Sequence, residues 1–224
     1  EGLPLADLQR IVASMRQTCQ ETGVTLVAGD TKVVDRGKGD KVFITTSGIG
    51  IIPGSVSLSI GAARPGDRIL LSGSIGDHGI AILAQREGLG FETTIRSDTA
   101  PLHTLVARML QTSHSIRCFR DPTRGGLSST LNELAVCSRV GFAIEEHSIP
   151  IREEVRGACE LLGLDPLYVA CEGKLVAVVA PEVAEALVET MRRHPLGVDA
   201  QIIGTVTEEN PGLVTLRTTF GTTR

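Results

Sequence analysis

Three short polar runs, each beside an apolar run, hold the side chains best suited to chemistry: Gly29-Asp30-Thr31-Lys32, Asp121-Pro122-Thr123-Arg124-Gly125-Gly126 and Cys171-Glu172-Gly173-Lys174. In the first, an Asp at the end of an apolar strand suits Mg²⁺, which prefers carboxylate and phosphate oxygens. Thr31 and Lys32 beside it could meet phosphate oxygens. A plain Gly-Asp turn with a solvated Lys explains the same residues equally well. The second run precedes a helical pattern starting near Leu127. A helix N-terminus offers unpaired N–H groups and a positive dipole end, and the paired glycines let an anion approach the backbone. Arg124 adds a bidentate anion contact. A capping turn accounts for Asp121 and Thr123 but not for two glycines plus an Arg, so an anion site is the preferred reading. In the third, Glu172 enters an apolar strand, where desolvation would raise its pKa and suit it to acid–base work. Taken alone, Glu172 reads as a solvated charge at a strand edge.

Other signals are weaker. Ser72-Gly-Ser-Ile-Gly-Asp77-His78-Gly79 is a glycine-rich turn into a helix, with His78 as a possible base and capping as the simpler role. His103, His114, His147 and His194 lack metal spacing, and no G-x-x-x-x-G-K-[ST] loop occurs. The five cysteines, Cys19, Cys118, Cys137, Cys159 and Cys171, contain no C-x-x-C pair. They read as small hydrophobes in a reduced, cytoplasmic protein.

These runs need elements to hold them. Leu5, Leu8, Ile11, Val12, Met15 and Cys19 recur at helical spacing up to Gly23, and residues 24–28 and 41–50 read as strands. The turn Arg64-Pro65-Gly66-Asp67 marks a domain boundary. Beyond it, strands are expected at 69–71, 115–120, 142–145, 174–180 and 201–206. Helices are expected over 76–87, 125–138, 151–162 and 181–194, with another that Asp98 caps and that runs to Gln111. Strands and helices mix without strict alternation, which favours an α+β sandwich over a doubly wound sheet. Composition closes other classes. The chain of 224 residues carries a net charge of −4 and 42% hydrophobic residues, with five Phe, one Tyr and no Trp. It has neither the aromatic platforms nor the basic groove of a nucleic-acid binder, and no apolar run long enough to span a membrane.

The succession Gly29 to Asp40 (GDTKVV-x-R-G-x-x-D), Ser72 to Gly79 (SGSIGDHG), Arg120 to Leu127 (RDPTRGGL) and Cys159 to Ala177 (CELLGLDPL…EGKLVA) resembles the HypE family of hydrogenase maturation proteins. That family lies within the AIR synthetase (PurM)-like superfamily, with selenophosphate synthetase and thiamin-phosphate kinase. The resemblance covers Glu1 to about Val206. Lys32 after Gly-Asp-Thr, and His78 after Gly-Asp, favour HypE over its cousins.

The resemblance implies part of an N-terminal α/β domain that dimerises and binds ATP (1–62), an α+β sandwich C-terminal domain (63–210), and the start of a C-terminal tail (211–224). It implies ATP-dependent dehydration of a thiocarboxamide on a C-terminal cysteine to a thiocyanate, the source of hydrogenase cyanide ligands. HypF would donate the carbamoyl group and a HypC–HypD complex would accept the product. On matching positions, Asp30 would bind Mg²⁺ or ATP, with Thr31 and Lys32 near the phosphates and Lys32 serving catalysis. Glu172 would be the acid–base residue, and Asp121, Thr123, Arg124, Gly125 and Gly126 would line an anion site.

The family's glycine-rich N-terminal segment, its upstream Asp residues and its Pro-Arg-Ile-Cys ending have no counterpart among these residues. The expectation is therefore that this chain is not itself carbamoylated, binds ATP weakly or not at all, and self-associates through strand edges. Two rival readings remain: a small-molecule kinase of the same superfamily, and a binding fragment without chemistry.

Overall fold

The computed structural model describes residues 1–86, 94–219 and 221, and its chain contacts divide it into two compact units, Glu1–Pro53 and Gly54–Arg224. In the first unit, Pro4 precedes helix α1 (Leu5–Thr22), and Gly23 ends it in the left-handed conformation, donating its N–H to the Cys19 carbonyl. The two strands expected at 24–28 and 41–50 do not form among the described residues. A strand exists by pairing with a neighbour. These runs find no ladder here, and Val27, Phe43, Ile49 and Ile51 are exposed.

The second unit is built on a six-stranded sheet in the order β2-β4-β1-β5-β3-β6. Its strands are β1 (Arg68–Leu71), β2 (Ile116–Arg120), β3 (Gly141–Glu145), β4 (Val176–Val179), β5 (Gln201–Thr207) and β6 (Val214–Arg217). All neighbours are antiparallel except β3 and β6. The central strands β1 and β4 are apolar on both faces because both faces are covered. Ile69, Leu71, Val176 and Val178 meet Leu127, Leu131 and Leu134 of α4 (Gly126–Ser138). Leu70, Ala177 and Val179 face the other way. They pack with Leu105 and Met109 of α3 (His103–Thr112) and with Leu187, Val188 and Met191 of α6 (Ala184–Arg192). A smaller cluster joins Ile80 of α2 (Asp77–Arg86) to Val155 and Cys159 of α5 (Glu153–Leu162) and to Val169.

The expected elements of this unit appear, with three differences, and residue 87, the expected end of α2, lies outside the described residues. Residues 181–183 form a tighter 3-10 turn before α6, since Pro181 opens it without an N–H. Strand β6 lies in the segment read as tail; its partner β3 is distant in sequence, so no local pattern announces the pairing. Asp98 does not cap a helix: α3 starts later, after Leu102, and has no side-chain cap. Residues before the Arg64–Asp67 turn already belong with the second unit. Ser59 donates its N–H to the Arg117 carbonyl (2.9 Å), Ser138 Oγ bonds the Ile60 carbonyl (2.9 Å), and Ala63 is buried in the core.

Candidate active site

Three of the sequence's polar loops meet at one end of the second unit. The Gly-rich loop 72–79 enters α2, and its Gly76 N–H reaches the Cys171 thiol at 3.3 Å, while Gly79 donates to the Ala170 carbonyl at 3.1 Å. Cys171 in turn donates its N–H to the Pro122 carbonyl at 3.0 Å, tying the 120–126 loop to the segment that carries Glu172. Burial pushes the Cys171 thiol up to about 12, so it acts as a hydrogen-bonded packing group and not as a nucleophile.

Glu172 stands at this junction with its side chain 40% exposed, and its Oε1 is 4.0 Å from His78 Nε2. The other ring nitrogen of His78 hydrogen-bonds Ser97 Oγ at 2.9 Å, and Ser97 Oγ also meets Thr99 Oγ1 at 2.7 Å. The Glu172 backbone N–H donates to Asp98 Oδ1 at 3.0 Å, and Asp98 Oδ2 is 3.4 Å from Lys174 Nζ. A base candidate, an imidazole and a buried ion pair therefore share one corner. Beside them, a cleft of about 390 Å³ is lined by Ser74, Asp77, Arg96, Asp98, Arg152 and Lys174, among others. Asp77, 1% exposed, takes a hydrogen bond from Ser74 Oγ (2.9 Å) and lies 3.2 Å from Arg152. His78 and Glu172 are candidates on sequence grounds. Ser97 carries no sequence signal and Asp98 only that of a helix cap; both arrive from a distant segment.

The 120–126 loop is organised from within. Asp121 accepts from Arg120 Nη1 (2.7 Å) and Thr123 Oγ1 (3.0 Å). Burial raises its carboxyl, but these bonds and the Arg120 charge outweigh that and hold it below the usual carboxylate range. Arg124 is exposed, with no ion-pair partner among the described residues. Gly125 and Gly126 both have positive φ, and a Cβ on Gly126 would lie 2.5 Å from the Leu167 carbonyl oxygen and 2.8 Å from that of Val169. Close packing of α4 on residues 167–169 thus demands this glycine, whatever an anion does nearby.

Asp30, Thr31 and Lys32 lie in the first unit, all exposed, and Thr31 donates its N–H to Asp30 Oδ1 at 2.8 Å. Among the described residues no group of three or more His, Cys, Asp or Glu could hold a metal. A single exposed carboxylate fits Mg²⁺ only in the mode where substrate phosphates and water complete the shell.

Residues 2–52 match the family described as AIR synthase related protein, N-terminal domain, and residues 64–216 match its C-terminal domain. The carbamoyl dehydratase HypE of Azotobacter vinelandii is 61% identical over 224 residues, covering 100% of this chain and 66% of that protein. The crystal structure of a HypE–HypF complex superposes with a TM-score of 0.96 at 47% identity, covering 100% of this chain and 73% of the other. The chain belongs to the HypE family. A HypE structure in complex with ATP gives the same TM-score of 0.96 at 47% identity, covering 100% of this chain and 69% of that one. Against curated HypE relatives the chain spans roughly two thirds of their length, 66% for A. vinelandii and 62% for Escherichia coli K12. The HypE motif residues thus fall into two groups. Asp30, Thr31 and Lys32 lie in the first unit, while His78, Asp121–Gly126 and Glu172 converge in the second.

Proposed function

We propose that this chain is part of a carbamoyl dehydratase of [NiFe]-hydrogenase maturation, with Glu172 as its acid–base residue and Asp30, Thr31 and Lys32 as its metal- and phosphate-binding residues. The observation that carries the reading is the Glu172 carboxylate, half-exposed at the junction of three loops and 4.0 Å from His78 Nε2. A solvent-accessible carboxylate so placed beside an imidazole can take a proton from a substrate amide nitrogen.

When bound, ATP with Mg²⁺ would supply the phosphoryl group that turns an amide oxygen into a leaving group. Asp30 would hold the metal, with Thr31 and Lys32 on the phosphates, Lys32 meeting charge that builds on the transferring group. Asp121, Thr123, Arg124, Gly125 and Gly126 would form an anion-binding turn at the start of α4, with Arg124 free to reach a phosphate or carboxylate. The substrate would be a thiocarboxamide on the family's C-terminal cysteine, a position none of the five cysteines here occupies. Both N–H protons would leave the thiocarboxamide: one as its oxygen takes the phosphoryl group, the second to Glu172 as the C–O bond breaks and inorganic phosphate departs, which would give the thiocyanate. HypF would be the carbamoyl donor, HypC–HypD the acceptor of the cyanide group, and a second copy the partner in a homodimer. The reading places the work in the cytoplasm; separately, no described helix is long and apolar enough to cross a membrane.

The test uses the natural gene product, carbamoylated by HypF and then given ATP, with intact mass followed over time. Loss of one water from the carbamoylated protein is expected, and Glu172→Gln should keep the carbamoyl mass. A Glu172→Gln protein that dehydrates at the parent rate would overturn the assignment.

A further inference from the structure

Asp98 belongs to none of the motifs that mark the family resemblance, yet it touches every part of the Glu172 turn. Its side chain is only 5% exposed. Oδ1 accepts the Glu172 N–H at 3.0 Å, and Oδ2 lies 3.4 Å from Lys174 Nζ while taking no hydrogen bond from the described residues. Its carbonyl oxygen occupies the space a Cβ on Gly173 would need, so the backbone of 98 lies directly on the turn. The flanking residues extend the grip: Ser97 Oγ holds His78 Nδ1 at 2.9 Å, and Thr99 N–H donates back to Ser97 Oγ at 3.2 Å. A single tripeptide thus contacts His78, Glu172, Gly173 and Lys174.

We propose that Asp98 is the positioning residue of this site: it sets where the Glu172 carboxylate stands by anchoring the turn that bears it. A buried carboxylate needs compensation, and Lys174 with the Glu172 N–H supplies it. The same two contacts fix the turn from both sides of Gly173, which has no Cβ to keep the clamp away. The proposal rests on Glu172 as the base, but the anchoring itself can be read without catalysis.

The experiment compares Asp98→Ala with the double variant Asp98→Ala/Lys174→Met in the natural gene product; the double change removes both buried charges and so protects the fold. Hydrogen exchange of the Glu172 amide, read by NMR, reports the anchor directly. Loss of a charged acceptor should speed it by on the order of ten- to a hundredfold, with β4 amides unchanged. In the dehydration assay, kcat should fall on the order of ten- to a hundredfold, since small misplacements of a catalytic group cost about that much. The KM for ATP should stay within about twofold because the group lost acts on the chemical step. Unchanged Glu172 exchange in the folded double variant would overturn the proposal. So would faster exchange with unchanged kcat, provided Glu172→Gln is inactive. If Glu172→Gln is active, the assignment of the base fails instead, and the exchange result alone decides whether Asp98 anchors the turn.

Discussion

Replacing Gly126 by Ala separates two demands on the same glycine. Gly126 has φ of +63°, a region that costs an L residue about 1–2 kcal/mol. The added Cβ would also meet backbone: the Leu167 carbonyl oxygen at 2.5 Å, the Tyr168 carbonyl carbon at 2.7 Å and the Val169 carbonyl oxygen at 2.8 Å. Backbone cannot rotate aside as a side chain can, so overpacking adds about 1–3 kcal/mol. The two effects together amount to about 2–5 kcal/mol. For a domain of this size, about 2–4 °C of Tm is lost per kcal/mol, which predicts a fall of about 4–20 °C. Gly163 is the internal control. Its φ is +67°, and nothing lies within 4 Å of where its Cβ would stand. Gly163→Ala should therefore lose only the conformational term, about 2–8 °C. Thermal unfolding followed by circular dichroism measures both. A Gly126→Ala protein that melts within about 2 °C of the parent, or a costlier Gly163→Ala, would refute the packing argument and return Gly126 to anion binding alone.

Two further outcomes follow from titrating groups. The thiols of Cys118, raised to about 11, and Cys171, raised to about 12, should resist alkylation at pH 8 while exposed Cys137 reacts; mass spectrometry of the native protein checks this, and rapid labelling of Cys171 would contradict its burial. His194 Nδ1 accepts the Leu196 N–H at 3.2 Å, so its proton sits on Nε2, which faces Thr104 Oγ1 at 3.0 Å. Burial, with help from the Arg108 charge, lowers its pKa below 6.5. Between the lowered value and 6.5 the unfolded chain binds more protons, so this contribution to stability is full above pH 6.5 and declines as pH falls through that window. Urea melts across the range should show the slope, and His194→Gln should flatten it; an unchanged slope in the variant would remove His194 as its source.

Much of the second unit was legible in the residue pattern. β4 reads as a continuous apolar run because helices cover both its faces, and α6 shows Ala184, Leu187, Val188 and Met191 at the spacing its buried face requires. The three polar loops were legible as chemistry because unusual residue combinations sit where strands and helices join. What stayed hidden depended on partners far along the chain. Residues 24–28 and 41–50 have strand composition, yet composition supplies no neighbouring N–H or carbonyl. Asp98 looked like a helix cap because local spacing allows one, whereas its actual partners are Glu172 and Lys174. The glycine pair at 125–126 looked like room for an anion, and part of its reason is a backbone contact with residues 167–169.

Residue type and order alone determined which side chains could accept a proton or meet a phosphate, which segments of the second unit other than β6 are helices or buried strands, and the family. These are local properties: periodicity, turn chemistry and motif spacing travel with the chain. The tertiary structure decided that His78, Asp98, Glu172 and Lys174 share one corner, that Cys171 is a packing group, and that β6 closes the sheet beside β3. Each of those needs two segments brought together by burial of a common core, and the pairing energy resides in contacts that no stretch of sequence contains by itself.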